Sequence, residues 1–377
     1  MLNYSFLASN IVTPEGIKYN NYINISGSII KSITESPLYN VRNDLKGKMA
    51  MPGFIDIHTH GYFGIDAMEA NENDLHRWAS LLARKGVTSF IPTCVSSPID
   101  DIINFIEKIK SAMSSQGKNE AKILGARSEG PYISMEMHGA HNPEFLRKIN
   151  VNEISMLADR YPLRIIDIAP ELENFQAALS IFNNHGVIVS IGHSNADFPT
   201  SSMALNSNVR LMTHFYNAMT RFNYRIPGMI DAGLLSKDAF LEVIPDLHHV
   251  SPQAIKIMER IKGLNKIIAV TDSLSIGGVN DVTGSIGNLK IEKRENVAYI
   301  SGTNTIAGSI LSMDTALKNL YNLGFNINDI SMALSSNQAD LLGINTGKIR
   351  SGMIADINII DDDLNVVKTI ISGNIVD

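Results

Sequence analysis

Pro52-Gly53-Phe54-Ile55-Asp56-Ile57-His58-Thr59-His60-Gly61 is the stretch from which the fold is read. Phe54–Ile57 is a short, mostly apolar run that predicts a buried strand. It leads straight into two histidines. Residues i and i+2 of a strand point to one side, so His58 and His60 can face one ion at the strand end. An HxH pair alone suits a structural role equally well. This one gains meaning because the pattern recurs. Similar runs at Val87–Ile91, Lys122–Arg127, Arg164–Ile168, Gly186–Ile191, Arg210–Met212, Phe240–Ile244 and Lys266–Val270 bring the total to eight. Amphipathic stretches separate them. One is Asn73–Lys85, with Leu75, Trp78, Leu81 and Leu82 on one face and Gly86 ending it. Such alternation argues for a parallel sheet, and eight repeats fit a closed (β/α)8 TIM-type barrel. In that fold reactive residues collect at the C-terminal strand ends. Here the strand ends carry His58 and His60, Glu129, His193, His214, then Asp246, His248 and His249, and finally Asp272.

Composition narrows the chemistry. The chain has 377 residues, 44% apolar and 19% charged, with a formal net charge of −6. That is an ordinary globular composition. No long basic run suggests nucleic acid, and no apolar stretch reaches the roughly 18–20 residues of a membrane helix. The N-terminus lacks a basic start followed by an apolar stretch, so a cytoplasmic setting is expected. The single cysteine, Cys94, excludes a thiolate cluster. Any metal site must therefore use carboxylates and the ten histidines.

A barrel of about 250 residues leaves a surplus. Its home is expected in the flanks. Residues 1–50 read as short strands (Tyr4–Ser9, Tyr22–Ile25, Ser28–Ile33), as do residues 346–377 (Ile357–Ile360, Val366–Ile371). Two-stranded pieces are marginal alone, so both ends are expected to build one small β-sandwich beside a barrel spanning 51–345. Within the latter, a hairpin is predicted at Asn288–Ser301 and helices at Met313–Leu323 and Asn328–Leu342.

Four further motifs carry chemistry. Ser128-Glu129-Gly130-Pro131 puts a carboxylate at a buried strand end, where it needs a metal or an ion pair. Gly192-His193-Ser194 and Thr213-His214-Phe215 supply two imidazoles at adjacent strand ends. With Glu129 they form a His/His/carboxylate set that leaves positions open for water and substrate. Such ligands suit Zn, Fe, Mn or Co alike. Val270-Thr271-Asp272-Ser273 offers a carboxylate that can take a proton from an attacking water and return it to a leaving group. HExxH, GxSxG, P-loop and GxGxxG patterns are absent.

Taken together, the segments 52–61, 129–143, 192–197, 213–219, 227–234, 246–250, 270–273 and 306–309 resemble the amidohydrolase superfamily. Within it they are similar to the N-acetylhexosamine-6-phosphate deacetylases, chiefly the N-acetylglucosamine-6-phosphate deacetylase family. The resemblance implies Glu129, His193 and His214 as metal ligands, Asp272 as catalytic acid/base, and His141 near the substrate carbonyl. It places Ala140, Asn217 and Ala218 at the sugar, Ile306, Ala307 and Gly308 in a loop lining it, and Arg225 and His249 at the 6-phosphate. It further implies a divalent metal, zinc before iron, manganese or cobalt, with His58 and His60 able to add a second ion. A homodimer is implied too, with phosphate contacts reaching in from the neighbouring subunit. One departure is Leu247, where relatives usually carry glycine.

The implied reaction is removal of the acetyl group from N-acetyl-D-glucosamine 6-phosphate. Three alternatives stand beside it. The galactosamine epimer differs at one hydroxyl. A cyclic-amide hydrolase of the dihydroorotase or hydantoinase type would carry a lysine after the fourth strand, where Ala169-Pro170-Glu171 stands. A non-catalytic sugar-phosphate-binding barrel would use the same pocket. Cys94 reads as a packed thiol and His76 and His185 as solvated residues, while His138 and His248 have no assigned role.

Overall fold

The computed structural model describes residues 3–43 and 48–376. Eight strands follow one another around a parallel sheet: β1 (Phe54–Thr59), β2 (Val87–Cys94), β3 (Ala126–Glu129), β4 (Leu163–Ile168), β5 (Ile188–Ile191), β6 (Leu211–Met212), β7 (Phe240–Val243) and β8 (Ile267–Ala269). Each pairs with its sequence neighbour. The ring closes at the C-terminal ends of β1 and β8. There the Asp272 N–H donates to the His58 carbonyl at 2.8 Å, and the His60 and Gly61 N–H groups both donate to the Ser273 carbonyl. This is the TIM-type barrel read from the sequence, with the strand-end residues brought to one mouth.

The expected third strand is divided. Lys122–Ile123 pairs separately with β2, and β3 proper starts at Ala126. Between them Gly125 has φ +138, and a Cβ there would lie 2.5 Å from the Pro162 carbonyl oxygen. The kink carries the strand on to Glu129. The helix read from Asn73 spans Glu72–Ala83, started by a capping box in which the Asn71 side chain accepts from the Asp74 N–H. It buries Leu75, Trp78, Ala79, Leu82 and Ala83 against the barrel.

Seven strands form the second sheet, in the order 374–376, 366–371, 357–360, 49–52, 3–13, 16–26, 29–34. Both chain ends thus share one small β-sandwich. Its core joins Phe6, Ile11, Ile23 and Ile25 to Ile349, Ile357, Ile359 and Ile370. The sheet rolls over this core: Ile29 bridges Ile354, and the Tyr4 hydroxyl donates to the Gly373 carbonyl. Burying these apolar faces is what makes two marginal terminal pieces stable together.

The hairpin expected at Asn288–Ser301 is a three-stranded meander, Thr283–Ile286, Leu289–Arg294 and Val297–Ile300. It packs through Ile286, Ile291 and Ala298 onto Val95, Leu274 and Ile276 beside the barrel mouth. The expected helix 328–342 is α-helical only at its ends. A π-helical turn at Met332–Ser336 interrupts it, and there the Ser335 hydroxyl donates to the Gly53 carbonyl.

Candidate active site

The barrel mouth holds a pocket with an empty volume of about 670 Å³, counting its open side. Its lining includes His60, Glu129, Ala140, His141, His193, His214, Asn217, Ala218, His249, Asp272, Ile306 and Gly308. Most residues singled out in the sequence therefore meet in one place. Two do not line it. Ala307 is fully buried beneath the loop, its N–H bound to the Ala298 carbonyl. Arg225 is exposed, stacked over Tyr224.

Two groups of ligand-type atoms lie at the base, joined by Glu129. Its Oε1 is 3.0 Å from both His193 Nε2 and His214 Nε2, which are themselves 3.0 Å apart. Its Oε2 is 3.1 Å from His60 Nε2 and 3.6 Å from His58 Nε2. Asp272 Oδ1 completes that second group at 3.1 Å from His60 and 3.5 Å from His58. Three donors each about 2.1 Å from one tetrahedral ion lie roughly 3.4 Å apart, so both groups have the spacing of a metal site. His58 Nε2 and His60 Nε2 are also buried without a hydrogen-bond partner among the described residues. An unsatisfied buried nitrogen is costly, and a cation would satisfy both.

Tautomers separate the ligands from the remaining histidine. His193 Nδ1 donates to the Met137 carbonyl at 2.8 Å and His60 Nδ1 to the Thr93 carbonyl at 3.0 Å. A carbonyl only accepts, so both rings carry a proton on Nδ1 and turn Nε2 to the Glu129 carboxylate. His58 Nδ1 likewise faces a carboxylate, Glu242 Oε2, at 3.3 Å. His141 is reversed. Its Nδ1 accepts from the Ser96 N–H at 3.2 Å, so the proton sits on Nε2, which points to Glu129 Oε2 at 3.3 Å. His141 thus turns a hydrogen-bond donor to the pocket floor. Burial holds its pKa below the usual histidine value, although Glu129 pulls the other way.

The carboxylates and imidazoles at the base shift one another's ionisation. Burial opposes a proton on His60, but Asp272 and Glu129 outweigh it and lift its pKa to about 9. Burial would raise Asp272, yet His58 and His60 hold it at about 2. Glu129 stays well below the ordinary carboxylate range against its own burial, held there by His141 and His58. Both carboxylates are therefore ionised at neutral pH. At the outer wall His249 Nδ1 lies 2.7 Å from Asp246 Oδ2, and that contact outweighs burial to raise the imidazole above its usual value.

Backbone strain is concentrated at this mouth. His214, Tyr216, Ala218, Leu247 and Asp272 all have positive φ, between 24° and 78°. Non-glycine residues there cost of order 1–3 kcal/mol each and tend to mark functional sites. Leu247, at +67°, holds a backbone conformation that favours glycine. Gly308 is needed as glycine: with φ +44, a Cβ would lie 2.8 Å from the Asp272 carbonyl oxygen.

The sequence reading missed a buried ion cluster below the pocket. Arg127 pairs with Asp167 (Nη2–Oδ1 2.8 Å) and with Glu242 (Nη1–Oε1 2.5 Å), all three fully buried. The signal was present as single charges inside apolar strands, in Ala126-Arg127, Ile166-Asp167-Ile168 and Leu241-Glu242-Val243. Of the histidines read as solvated, His76 binds Glu120 at 2.8 Å and His185 binds Asp159 at 3.0 Å. His138 supports the 141 loop through the His141 carbonyl.

Comparison with known proteins gives concordant matches. The model of the Amidohydrolase family matches residues 49–376. N-acetylglucosamine-6-phosphate deacetylase of Bos taurus is 36% identical over 355 residues, covering 89% of this chain and 85% of that protein. N-acetylgalactosamine-6-phosphate deacetylase of Escherichia coli O157:H7 is 30% identical over 373 residues, 98% of each. Among solved structures, an N-acetyl-D-glucosamine-6-phosphate deacetylase variant from Mycobacterium smegmatis, in complex with N-acetyl-D-glucosamine-6-phosphate, superposes with a TM-score of 0.93 at 25% identity over 100% of both chains.

Proposed function

Because this chain belongs to the amidohydrolase family, we propose that its pocket hydrolyses the acetamide of N-acetyl-D-glucosamine 6-phosphate to glucosamine 6-phosphate and acetate. The observation that carries the reading is the pair of ligand groups sharing Glu129, with a proton donor, His141, and an ionised carboxylate, Asp272, on either side. Glu129, His193 and His214 would hold one divalent ion, and His58 and His60 a second with Glu129 and Asp272. Zinc is the ion favoured, with iron, manganese or cobalt as alternatives. An ion at this place acts as a Lewis acid toward water and the amide carbonyl.

The chain's own groups do the rest. Asp272, ionised at neutral pH, takes a proton from the attacking water as it adds to the carbonyl carbon. The His141 Nε2–H donates to the oxygen on which charge develops. The same Asp272 then passes its proton to the amine nitrogen as the C–N bond breaks. Ala140, Asn217, Ala218, Ile306 and Gly308 line the pocket and would wall the sugar. His249, fixed by Asp246 in a contact that raises its pKa, faces the 6-phosphate. Arg225 sits on an exposed loop with Phe222, Tyr224 and Ile226. We place that loop in a homodimer contact from which Arg225 reaches the phosphate of a second copy; its planar fork suits that group. The lone, buried Cys94 thiol suits a reducing, cytoplasmic setting.

Acetate release by the metal-loaded protein tests the reading. N-acetyl-D-glucosamine 6-phosphate should be turned over, with a higher kcat/KM than its galacto epimer. A reversed preference makes the galacto compound the substrate. No acetate from either overturns the proposal.

A further inference from the structure

Glu242 lies one layer beneath the ligand groups, on β7, with no solvent exposure. Every partner of its carboxylate is a donor. Oε1 accepts from Arg127 Nη1. Oε2 lies 3.1 Å from Arg127 Nη2, 3.3 Å from His58 Nδ1 and 3.2 Å from the backbone N–H of His214. One oxygen therefore touches a histidine of each ligand group: His58 of the group with His60 and Asp272, and His214 of the group with His193.

The two contacts act differently. The contact to His58 fixes a tautomer: a carboxylate accepts only, so the proton stays on Nδ1 and the Nε2 lone pair is presented. The contact to His214 fixes a backbone held at φ +24, which an unsupported residue would leave. Arg127 in turn keeps the carboxylate in place. Its other edge is locked by Asp167, and its Nη1 also donates to the Ile57 carbonyl next to His58. Apolar residues of similar volume could supply the stability of such a buried pair. They could not accept from both histidines at one atom.

We infer that Glu242 is a positioning residue for divalent-ion capture at both ligand groups, with Arg127 holding its carboxylate in register. The inference rests on the metal reading proposed above.

The test uses the full chain, stripped of metal and titrated with Co²⁺. Bound ions per chain are read by elemental analysis and coordination by the visible absorption band. Glu242→Leu removes both acceptors and should weaken Co²⁺ binding by about 10–100-fold and alter the band. Glu242→Gln keeps one carbonyl oxygen for His58 and should fall between, at matched far-UV circular dichroism. A general packing defect would give no such order. Variants that bind Co²⁺ with unmodified affinity, stoichiometry and spectrum overturn the inference alone. An unmodified protein that takes up no Co²⁺ overturns the metal reading itself. Should the variants fail to fold, the unmodified zinc-loaded protein with ¹⁵N-labelled histidine carries the test. It should give an exchange-protected, downfield Nδ1–H signal that His58→Asn abolishes; absence of that signal overturns the inference.

Discussion

Asp272→Asn is the substitution that separates chemistry from architecture. The backbone at residue 272 is clamped without its side chain, since its N–H donates to the His58 carbonyl at 2.8 Å and its carbonyl accepts from the Ser309 N–H at 2.7 Å. Its φ of +48° is a value that asparagine tolerates better than most residues. Asparagine should therefore keep the fold, whereas alanine would add backbone strain to the chemical loss. What asparagine cannot do is take a proton from the attacking water, the role proposed for the ionised Asp272 carboxylate. Positioned acid–base catalysis is worth about 10²–10⁴-fold, or roughly 3–5 kcal/mol of barrier. In the proposed mechanism one carboxylate serves both proton transfers, so the expected loss in kcat lies at the upper end, about 10³-fold or more. KM should move little, because the proposed mechanism puts Asp272 at the reacting centre and not at the sugar wall. The assay is acetate release at saturating metal, with bound ions counted in parallel, since Asp272 also stands 3.1 Å from His60. A variant that retains its ions and turns over within about tenfold of the unmodified protein would refute the assignment.

Three further outcomes are expected. His141→Phe keeps a ring in place but removes the Nε2–H donor, and should lower kcat by about 10²–10³-fold with a small change in KM; an unchanged kcat in steady-state assays removes His141 from the mechanism. Arg225→Met should raise KM for the phosphorylated substrate about tenfold or more at constant kcat, with no effect on unphosphorylated N-acetylglucosamine; equal effects on both sugars would take Arg225 away from the phosphate. In metal-free protein the His60 pKa stands at about 9 against an ordinary 6.5, so its stabilisation is complete below pH 6.5 and lost as pH rises through 9. Asp272, at about 2 against 3.8, contributes above pH 3.8 and loses its contribution as pH falls through 2. Bound ions replace the proton on His60, so the rise in Tm caused by zinc should grow between pH 6.5 and 9. A zinc effect that is flat across that window in thermal scans contradicts these electrostatics.

The barrel and most of its mouth were legible because they rest on short-range patterns. A strand of four to eight residues ends where its polar residue begins, so His58, Glu129, His193, His214 and Asp272 could be placed by counting. The terminal strands Ile357–Ile360 and Val366–Ile371 coincide with the observed ones for the same reason. What escaped depends on contacts distant in the chain. The Lys122–Arg127 run looks continuous until Gly125 meets Pro162 across the sheet. The π-helical turn at Met332–Ser336 leaves no mark in a helical pattern; the Ser335 contact to Gly53, 282 residues away, exists only in the folded chain. The division of labour among the histidines was the least legible part. His60, His193 and His141 are the same side chain in the sequence, and a motif can give them names. Their chemistry is set by what meets Nδ1. It is a carbonyl from Thr93 or Met137 in two cases and an N–H from Ser96 in the third. A ligand becomes a donor when the partner on the far side of the ring changes from acceptor to donor. Exchanging those partners by moving one loop would convert one role into the other without altering a histidine, so the catalytic identity of this mouth resides in its supporting backbone as much as in its strand-end residues.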